Sequence, residues 1–390
     1  MLSDLRISNL LEGSIDASDI GWTLCFIGES QQTKLAELVQ EIKGGFSETG
    51  DCKRIVSGFS YWGIGPTISW AKTCSDPFYP VMTGSIRSFR SRWRELHESN
   101  IAKKKFHYVS LGVGTGKKDR NVIADLLIDN PDLLFFPVDM SSTMLRMAIQ
   151  EVMQIDSLKG SQILPIQLDF SDTERIRNLR DLIDQLVPDA PILFSLLGNT
   201  LANFQYDEKL LRILSRLVRK DDLLLIEVAS TKRLDEQIAQ QAAREYANTE
   251  SFRKFVASAL LQNTNLHIDL ASVLFKSSVE NDKSILIKII YQNTTGENLS
   301  VMLPDWSSMD LVANDTIRLL LTRKYTQKGI ENMITRNNFS IVDRKANNFS
   351  GNSSVRSNTN FGIDLLLVAA SEQYAESESY SGSLASSVWF

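Results

Sequence analysis

The residues best suited to chemistry lie in the run HYVSLGVGTGKKDR, where an apolar stretch ending at Leu111 gives way to Gly112, Gly114 and Gly116, and then to a helical pattern from Lys117. Glycines at this spacing let the backbone bend tightly and approach a ligand beside the positive end of the following helix. Asp139 ends the next apolar run, in FFPVDMSSTML, 27 residues after Gly112, and a carboxylate at such a strand tip can accept both ribose hydroxyl protons. Asp169 and Phe170 end a third run, where an acid can take a purine amino group and an aromatic ring can cover the base. Alone, each acid would serve as a helix cap or a surface charge. In this order, at successive strand ends, they make a cleft for a small cofactor the better account. A phosphate P-loop would require Gly at 111 and Ser or Thr at 118, where the chain has Leu111 and Lys118. The dinucleotide spacing G-x-G-x-x-G would require Gly at 117, which is Lys117, so an NAD-dependent oxidoreductase needs a departure from its own pattern.

Presenting these residues side by side requires a parallel α/β sheet. Strands are expected at 106–112, 133–139, 161–169, 192–197 and 222–229, and helices at 117–129, 141–153, 172–186 and 207–218, from apolar runs alternating with helical spacing. After residue 230 the pattern changes to a long polar helical stretch over 232–261 and strands at 270–278, 284–293 and 299–303, the last two joined as a hairpin through Thr294, Thr295, Gly296 and Glu297. A strand at 316–321, a helix at 326–337 and strands at 340–344 and 362–369 return to the first style. The chain is thus divided into an N-terminal helical, substrate-side segment (1–86), a first sheet portion (87–230), an inserted α+β unit (231–315), a closing sheet portion (316–370) and a tail (371–390) rich in Ser, Glu, Tyr and Gly and read as mobile.

Composition narrows the function classes. Lys and Arg number 42 against 47 Asp and Glu, a net charge of -5 without the basic field that nucleic-acid binding needs. No run approaches the ~18 apolar residues of a membrane span, and the N-terminus lacks an export-signal pattern, so a cytoplasmic globule is expected. Cys25, Cys52 and Cys74 are widely spaced and read as reduced thiols, and His97, His107 and His267 have no metal-ligand spacing. No metal is expected.

The G-x-G-x-G spacing resembles motif I of class I S-adenosylmethionine methyltransferases. The segment LLGNTLANF, residues 196–204, is similar to the "GS-T-x-x-N" stretch of the histidine Nα-methyltransferase family of ergothioneine biosynthesis, which also includes a methyltransferase of prenylated tryptophan. LGVGTGKK with PVDMSSTML, FYPVMT at 78–83 beside the family's "YYPTR-T", and LLTRKYTQKGIENMI beside its "E-x-S-x-K-Y/F" strand support the likeness, which spans roughly residues 60–370. It implies a class I, Rossmann-like doubly wound sheet with an inserted α+β substrate-binding domain and S-adenosylmethionine as cofactor. By position it places Gly112, Gly114, Gly116, Lys117, Asp139, Met140, Asp169, Phe170, Gly198 and Asn199 around the cofactor. Asn203 would bind the substrate's amino group, with Tyr79, Tyr246, Leu320 and Thr322 around the substrate.

Two departures shape the expected substrate. Leu320 and Thr322 stand where the family's acid and hydroxyl hold an imidazole, and a buried imidazole N–H facing Leu would lose about 1–3 kcal/mol. Met82 stands where the motif has Arg. The pocket therefore suits a small amine or amino acid with an apolar or aromatic side chain, and not histidine. Displacement at a sulfonium methyl depends on alignment and requires no dedicated nucleophile, so no catalytic residue is named. A catalytically silent S-adenosylmethionine-binding protein is the alternative that the departures would favour, but a silent protein has no need of both the cofactor residues and Asn203.

Overall fold

Parallel strands covered on both faces need continuous apolar runs, and the central segments have them: every residue of Phe135–Asp139 and of Ile192–Leu196 is buried. A computed structural model of the chain describes residues 25–26, 31–44, 53–77, 79–348 and 360–371. Strands β1 (Cys25–Phe26), β2 (His107–Leu111), β3 (Phe135–Asp139), β4 (Ile166–Gln167), β5 (Ile192–Leu196) and β6 (Leu223–Thr231) lie in the order β1-β4-β3-β2-β5-β6, all parallel. On the far side of β6 runs β13 (Phe361–Ala370), antiparallel, followed by β12 (Phe339–Asn348). The order of connection reverses between β2 and β5, and in open α/β sheets such a reversal opens a crevice beyond the carboxyl ends of the strands.

Helices pack on both faces. One apolar cluster holds residues of α3 (Pro80–Leu96), α4 (Lys117–Asp129) and α5 (Ser142–Val152); the opposite one holds residues of α6 (Thr173–Leu186), α7 (Asp207–Leu214) and α10 (Gln327–Arg336). A third cluster joins α1 (Gln31–Lys43) and α2 (Ile64–Cys74) to α8 (Glu236–Ala247), α9 (Glu250–Asn263) and strands β7 (Val273–Glu280), β8 (Ser284–Gln292) and β11 (Thr316–Tyr325). The sheet is therefore α/β, doubly wound and mostly parallel, as the sequence implies.

Several elements differ from expectation. The hairpin between 284–293 and 299–303 does not form: β8 pairs antiparallel with β7 and β11, whereas β9 (Leu299–Met302) pairs with β10 (Ser308–Leu311) in a separate two-stranded sheet. Asn293 turns the chain out of the large sheet, its side-chain amide donating to the carbonyls of Glu297, Leu311 and Val312. The expected strand 161–169 shrinks to β4, because residues 160–162 form a 3₁₀ turn that Gln162 anchors by donating to the carbonyls of Pro131 and Leu133. The long helix of 232–261 is two helices, broken at Asn248 and Thr249, which cap α8 and α9. Residues 270–272 are a 3₁₀ turn ahead of β7, β11 runs on to Tyr325, and α7 stops at Leu214. The expected tail lies outside the described residues, save Ser371.

Candidate functional site

A cleft of about 910 Å³, part of it open to solvent, lies where the strand order reverses. It is built from the loop after β2, the end of β3 and the loop after β5. Gly112, Gly114 and Gly198 have φ of +68°, +59° and +74°, in the left-handed region that only glycine enters without strain. A side chain at Gly198 would meet nothing within 4 Å, and one at Gly114 only the Gly112 carbonyl at 4.0 Å, so both leave backbone uncovered beside the cleft. Gly116 lines the cleft too, but for another reason: a Cβ there would lie 2.9 Å from the Ala148 backbone, so it is glycine to let α4 approach α5.

Asp139 reaches the cleft with only 8% of its surface exposed, its Oδ1 accepting the Ser141 amide at 2.9 Å. Burial pushes its carboxyl up to about 6 against the backbone N–H groups of Ser141, Gly114 and Met140. Hydroxyl donors arriving from a ligand would favour the ionised form. Met140 packs its sulfur toward Gly58, and Phe170 lies over Gly112 with Phe204 beside it at 5.8 Å, forming an apolar wall broad enough for a purine face.

Two expected cofactor residues do not line the large cleft. Asp169 is not among the residues lining the cleft: its carboxylate accepts Ser171 N at 3.0 Å and Oγ at 2.6 Å, and pairs with Lys34 at 3.2 Å and Arg175 at 3.4 Å. Although burial opposes its charge, the Ser171 hydroxyl and Lys34 hold its carboxyl below the usual range. It ties α1 to the edge of the sheet. Asn199 is absent from the large cleft and acts as a buried bracket where β5 ends: its Oδ1 accepts Ala229 N from β6, and its Nδ2 donates to Thr322 Oγ1 and the Arg323 carbonyl of β11.

A smaller cavity of about 310 Å³, part of it open space, adjoins the cleft and shares Tyr61, Trp70, Met82, Gly198 and Asn203 with it. All five expected substrate residues, Tyr79, Asn203, Tyr246, Leu320 and Thr322, line it. Leu320 and Thr322 alternate onto one face of β11 after a bulge between Arg318 and Leu320, which re-aims the strand. Phe252 completes the wall, 5.3 Å from the ring of Tyr79 and 5.1 Å from that of Tyr246. None of the residues lining this cavity is charged. Tyr246, 1% exposed, turns its hydroxyl toward Thr322. The Asn203 side-chain amide donates to the Tyr61 hydroxyl at 3.1 Å. Burial raises the phenols of Tyr61, Tyr79 and Tyr246 above their ordinary value and pushes the Cys74 thiol up to about 12, so all four keep their protons at neutral pH.

Sequence reasoning missed Tyr61, Trp70, Lys118 and Glu227. Tyr61 is held by long-range backbone pairing: Ile55 N donates to the Arg318 carbonyl and Ser60 Oγ to that of Leu319, laying residues 53–61 along β11. Lys118 lines the cleft beside Lys117 and pairs with Glu227, a fully buried acid on β6 that also accepts Arg92, Ser85 and the Gly198 amide. A signal for Glu227 was present, since one acid inside the apolar strand LLLIEVAS must find cations or stay protonated. Among the described residues no group of three or more His, Cys, Asp and Glu could hold a metal ion, and no helix is long and apolar enough to cross a membrane.

A family model described as "Histidine-specific methyltransferase, SAM-dependent" matches residues 39–349. No curated protein matches the chain. Solved structures similar to it include the CcbJ methyltransferase from Streptomyces caelestis (11% identity, covering 73% of this chain and 98% of that one, TM-score 0.33). An S-adenosylmethionine-dependent methyltransferase from Clostridium acetobutylicum is 16% identical over 72% of this chain and 89% of that one, with a TM-score of 0.33. Magnesium protoporphyrin IX methyltransferase from Synechocystis PCC 6803, with bound S-adenosylhomocysteine, is 11% identical over 75% and 86%, with a TM-score of 0.37.

Proposed function

The chain belongs to the S-adenosylmethionine-dependent, histidine-specific methyltransferase family, and on that premise we propose that it methylates the amino group of a small amine or amino acid with an apolar or aromatic side chain, in a biosynthetic pathway, and not histidine. The observation that carries this reading is the uncharged cavity lined by Asn203, Tyr79, Tyr246 and Leu320, which opens through shared residues onto the glycine cleft. When bound, the cofactor supplies a methyl group activated by a sulfonium.

The protein's own residues fit that group. Gly112, Gly114 and Gly198 leave backbone bare for it, Asp139 would take its ribose hydroxyls, Phe170 and Phe204 its purine, and Lys117 and Lys118 its carboxylate. On the acceptor side, the Asn203 carbonyl would take an amine N–H and orient the lone pair. An amine in an uncharged cavity loses the solvation that favours its ammonium form, so its pKa falls toward neutrality. Tyr61, Tyr79 and Tyr246 stay protonated and act as hydrogen-bond donors, not bases, which leaves water to carry the proton away. We keep residues 231–315 as a substrate-side insertion, supported by Tyr246 and Phe252 in the cavity wall, and the cytoplasm as the compartment, which the reduced thiol of Cys74 suits.

The test is calorimetric titration with S-adenosylhomocysteine, followed by mass spectrometry of reactions containing histidine or arylalkyl amines. Product binding that tightens with an apolar amine, with methylation of that amine and not of histidine, is expected. Methylation of histidine in preference to every apolar amine would overturn the substrate reading, and absence of product binding would overturn the cofactor site.

A further inference from the structure

Behind Lys118 and Gly198 the cleft has a charged floor made of residues that do not border it. Glu227, with none of its side chain exposed, offers four acceptor directions and all four are filled: Oε1 accepts Arg92 Nη2 at 2.8 Å and Ser85 Oγ at 3.0 Å, and Oε2 accepts Lys118 Nζ and the Gly198 amide at 3.0 Å. Lys118 Nζ also donates to Ser85 Oγ and lies 5.8 Å from the centroid of the Phe89 ring. Lys118 and Gly198 line the cleft; Arg92, Glu227 and Ser85 do not. Arg92, 5% exposed in its side chain, is itself braced by donating to the Ile363 carbonyl of β13 and the Ser88 carbonyl of α3.

A carboxylate buried this deeply and bound to a single lysine would neutralise that lysine. Here a second cation shares it, so the buried trio of Arg92, Lys118 and Glu227 carries one net positive charge, and only Lys118 borders the cleft. The Glu227 carboxylate holds the Gly198 amide, and the backbone carbonyl of the same residue accepts Asn199 N at 3.2 Å, which pins the loop that follows β5. We propose that Glu227 and Arg92 are positioning residues for the amino-acid end of the cofactor: together they fix Lys118 and the Gly198 loop at one depth and leave Lys118 with the surplus charge that meets the cofactor's carboxylate. The inference rests on the cofactor reading above and extends it to residues that never touch the ligand.

The test compares S-adenosylhomocysteine with 5′-methylthioadenosine, which has the nucleoside and sulfur but no amino-acid group. In Glu227→Gln and Arg92→Met, the dissociation constant for S-adenosylhomocysteine should rise at least tenfold, whereas that for methylthioadenosine should stay within about twofold of wild type. Arg92→Lys, which keeps the charge, should restore most of the loss. If Glu227→Gln does not fold, Ser85→Ala decides, since it removes one member of the same network and should show the same preference on a smaller scale. Equal losses for the two ligands, or no loss for either, would overturn the positioning role. Failure of the wild-type protein to bind either ligand would instead overturn the cofactor reading.

Discussion

Asp139 is held at a cost that a single substitution can expose. Burial pushes its carboxyl from the ordinary 3.8 to about 6, and at about 1.4 kcal/mol per tenfold change in proton affinity, ionising it in the fold costs about 3 kcal/mol more than in the unfolded chain. Because its folded value lies above its unfolded one, protonation favours folding: the contribution is complete below about pH 4 and is lost as the pH rises through about 6. Asp139→Asn removes the charge and keeps an oxygen for the Ser141 amide. At pH 7.5 the variant should therefore be about 1–3 kcal/mol more stable than wild type, melting a few degrees higher, and the difference should shrink toward zero near pH 4. Its affinity for S-adenosylhomocysteine should fall at least tenfold, since a charged acceptor is replaced by a neutral one that can serve fewer hydroxyl donors. Scanning calorimetry at the two pH values, with and without ligand, reads both effects. A variant less stable than wild type at pH 7.5, or equally stabilised at both pH values, would refute the strained charge. Undiminished affinity would remove Asp139 from the ligand site.

Gly116 and Gly198 share a positive φ but not a reason for it, so the same substitution should separate them. Gly116→Ala places a Cβ 2.9 Å from the Ala148 backbone and should destabilise the fold by about 2–4 kcal/mol. Gly198→Ala meets open space, should cost about 1 kcal/mol of backbone strain, and should instead weaken ligand binding, as paired melting and titration experiments would show. Asp169→Asn should lower stability by about 1 kcal/mol at neutral pH by loosening Lys34 and Arg175. Since its carboxyl is held below the usual range, that stabilisation is present above about pH 4 and lost as the pH falls through the lower folded value, so variant and wild type should converge in acid, measured by urea unfolding.

What could be read from the chain alone followed how local the determining interactions are. Gly112, Gly114 and Asp139 sit at the ends of short apolar runs whose pairing in a parallel sheet is almost dictated by their alternation with helices, and the cleft forms where that pattern puts it. Tyr61 could not be reached this way, because residues 53–61 have no periodicity of their own and are placed by bonds to β11 some 260 residues later. Asp169 has the same local signature as Asp139, yet Lys34 and Arg175 engage it, and nothing near it in sequence announces the lysine. The hairpin after Asn293 failed for a related reason: its loop residues suit a turn, but besides Glu297 the Asn293 amide binds two carbonyls, of Leu311 and Val312, that only the folded strand β10 and its flank bring near.

The distribution of charge separates the cleft from the smaller cavity beside it. Asp139, Lys117, Lys118 and Asp119 border the cleft and arise from the end of β3 and the start of α4, whereas the smaller cavity is uncharged and drawn from the 57–61 turn, α2, the two helices of the 236–263 region and β11. The two sets meet through Asn199, which joins β6 to β11, and through Asn203, whose amide bonds Tyr61. A change at Leu320 therefore alters the wall of the smaller cavity while the Glu227 network that holds Lys118 and Gly198 is left intact. Conversely, an acid introduced at Leu320 would sit 3% exposed among aromatic rings with no cation lining the cavity, and would raise its own pKa before it could hold an imidazole.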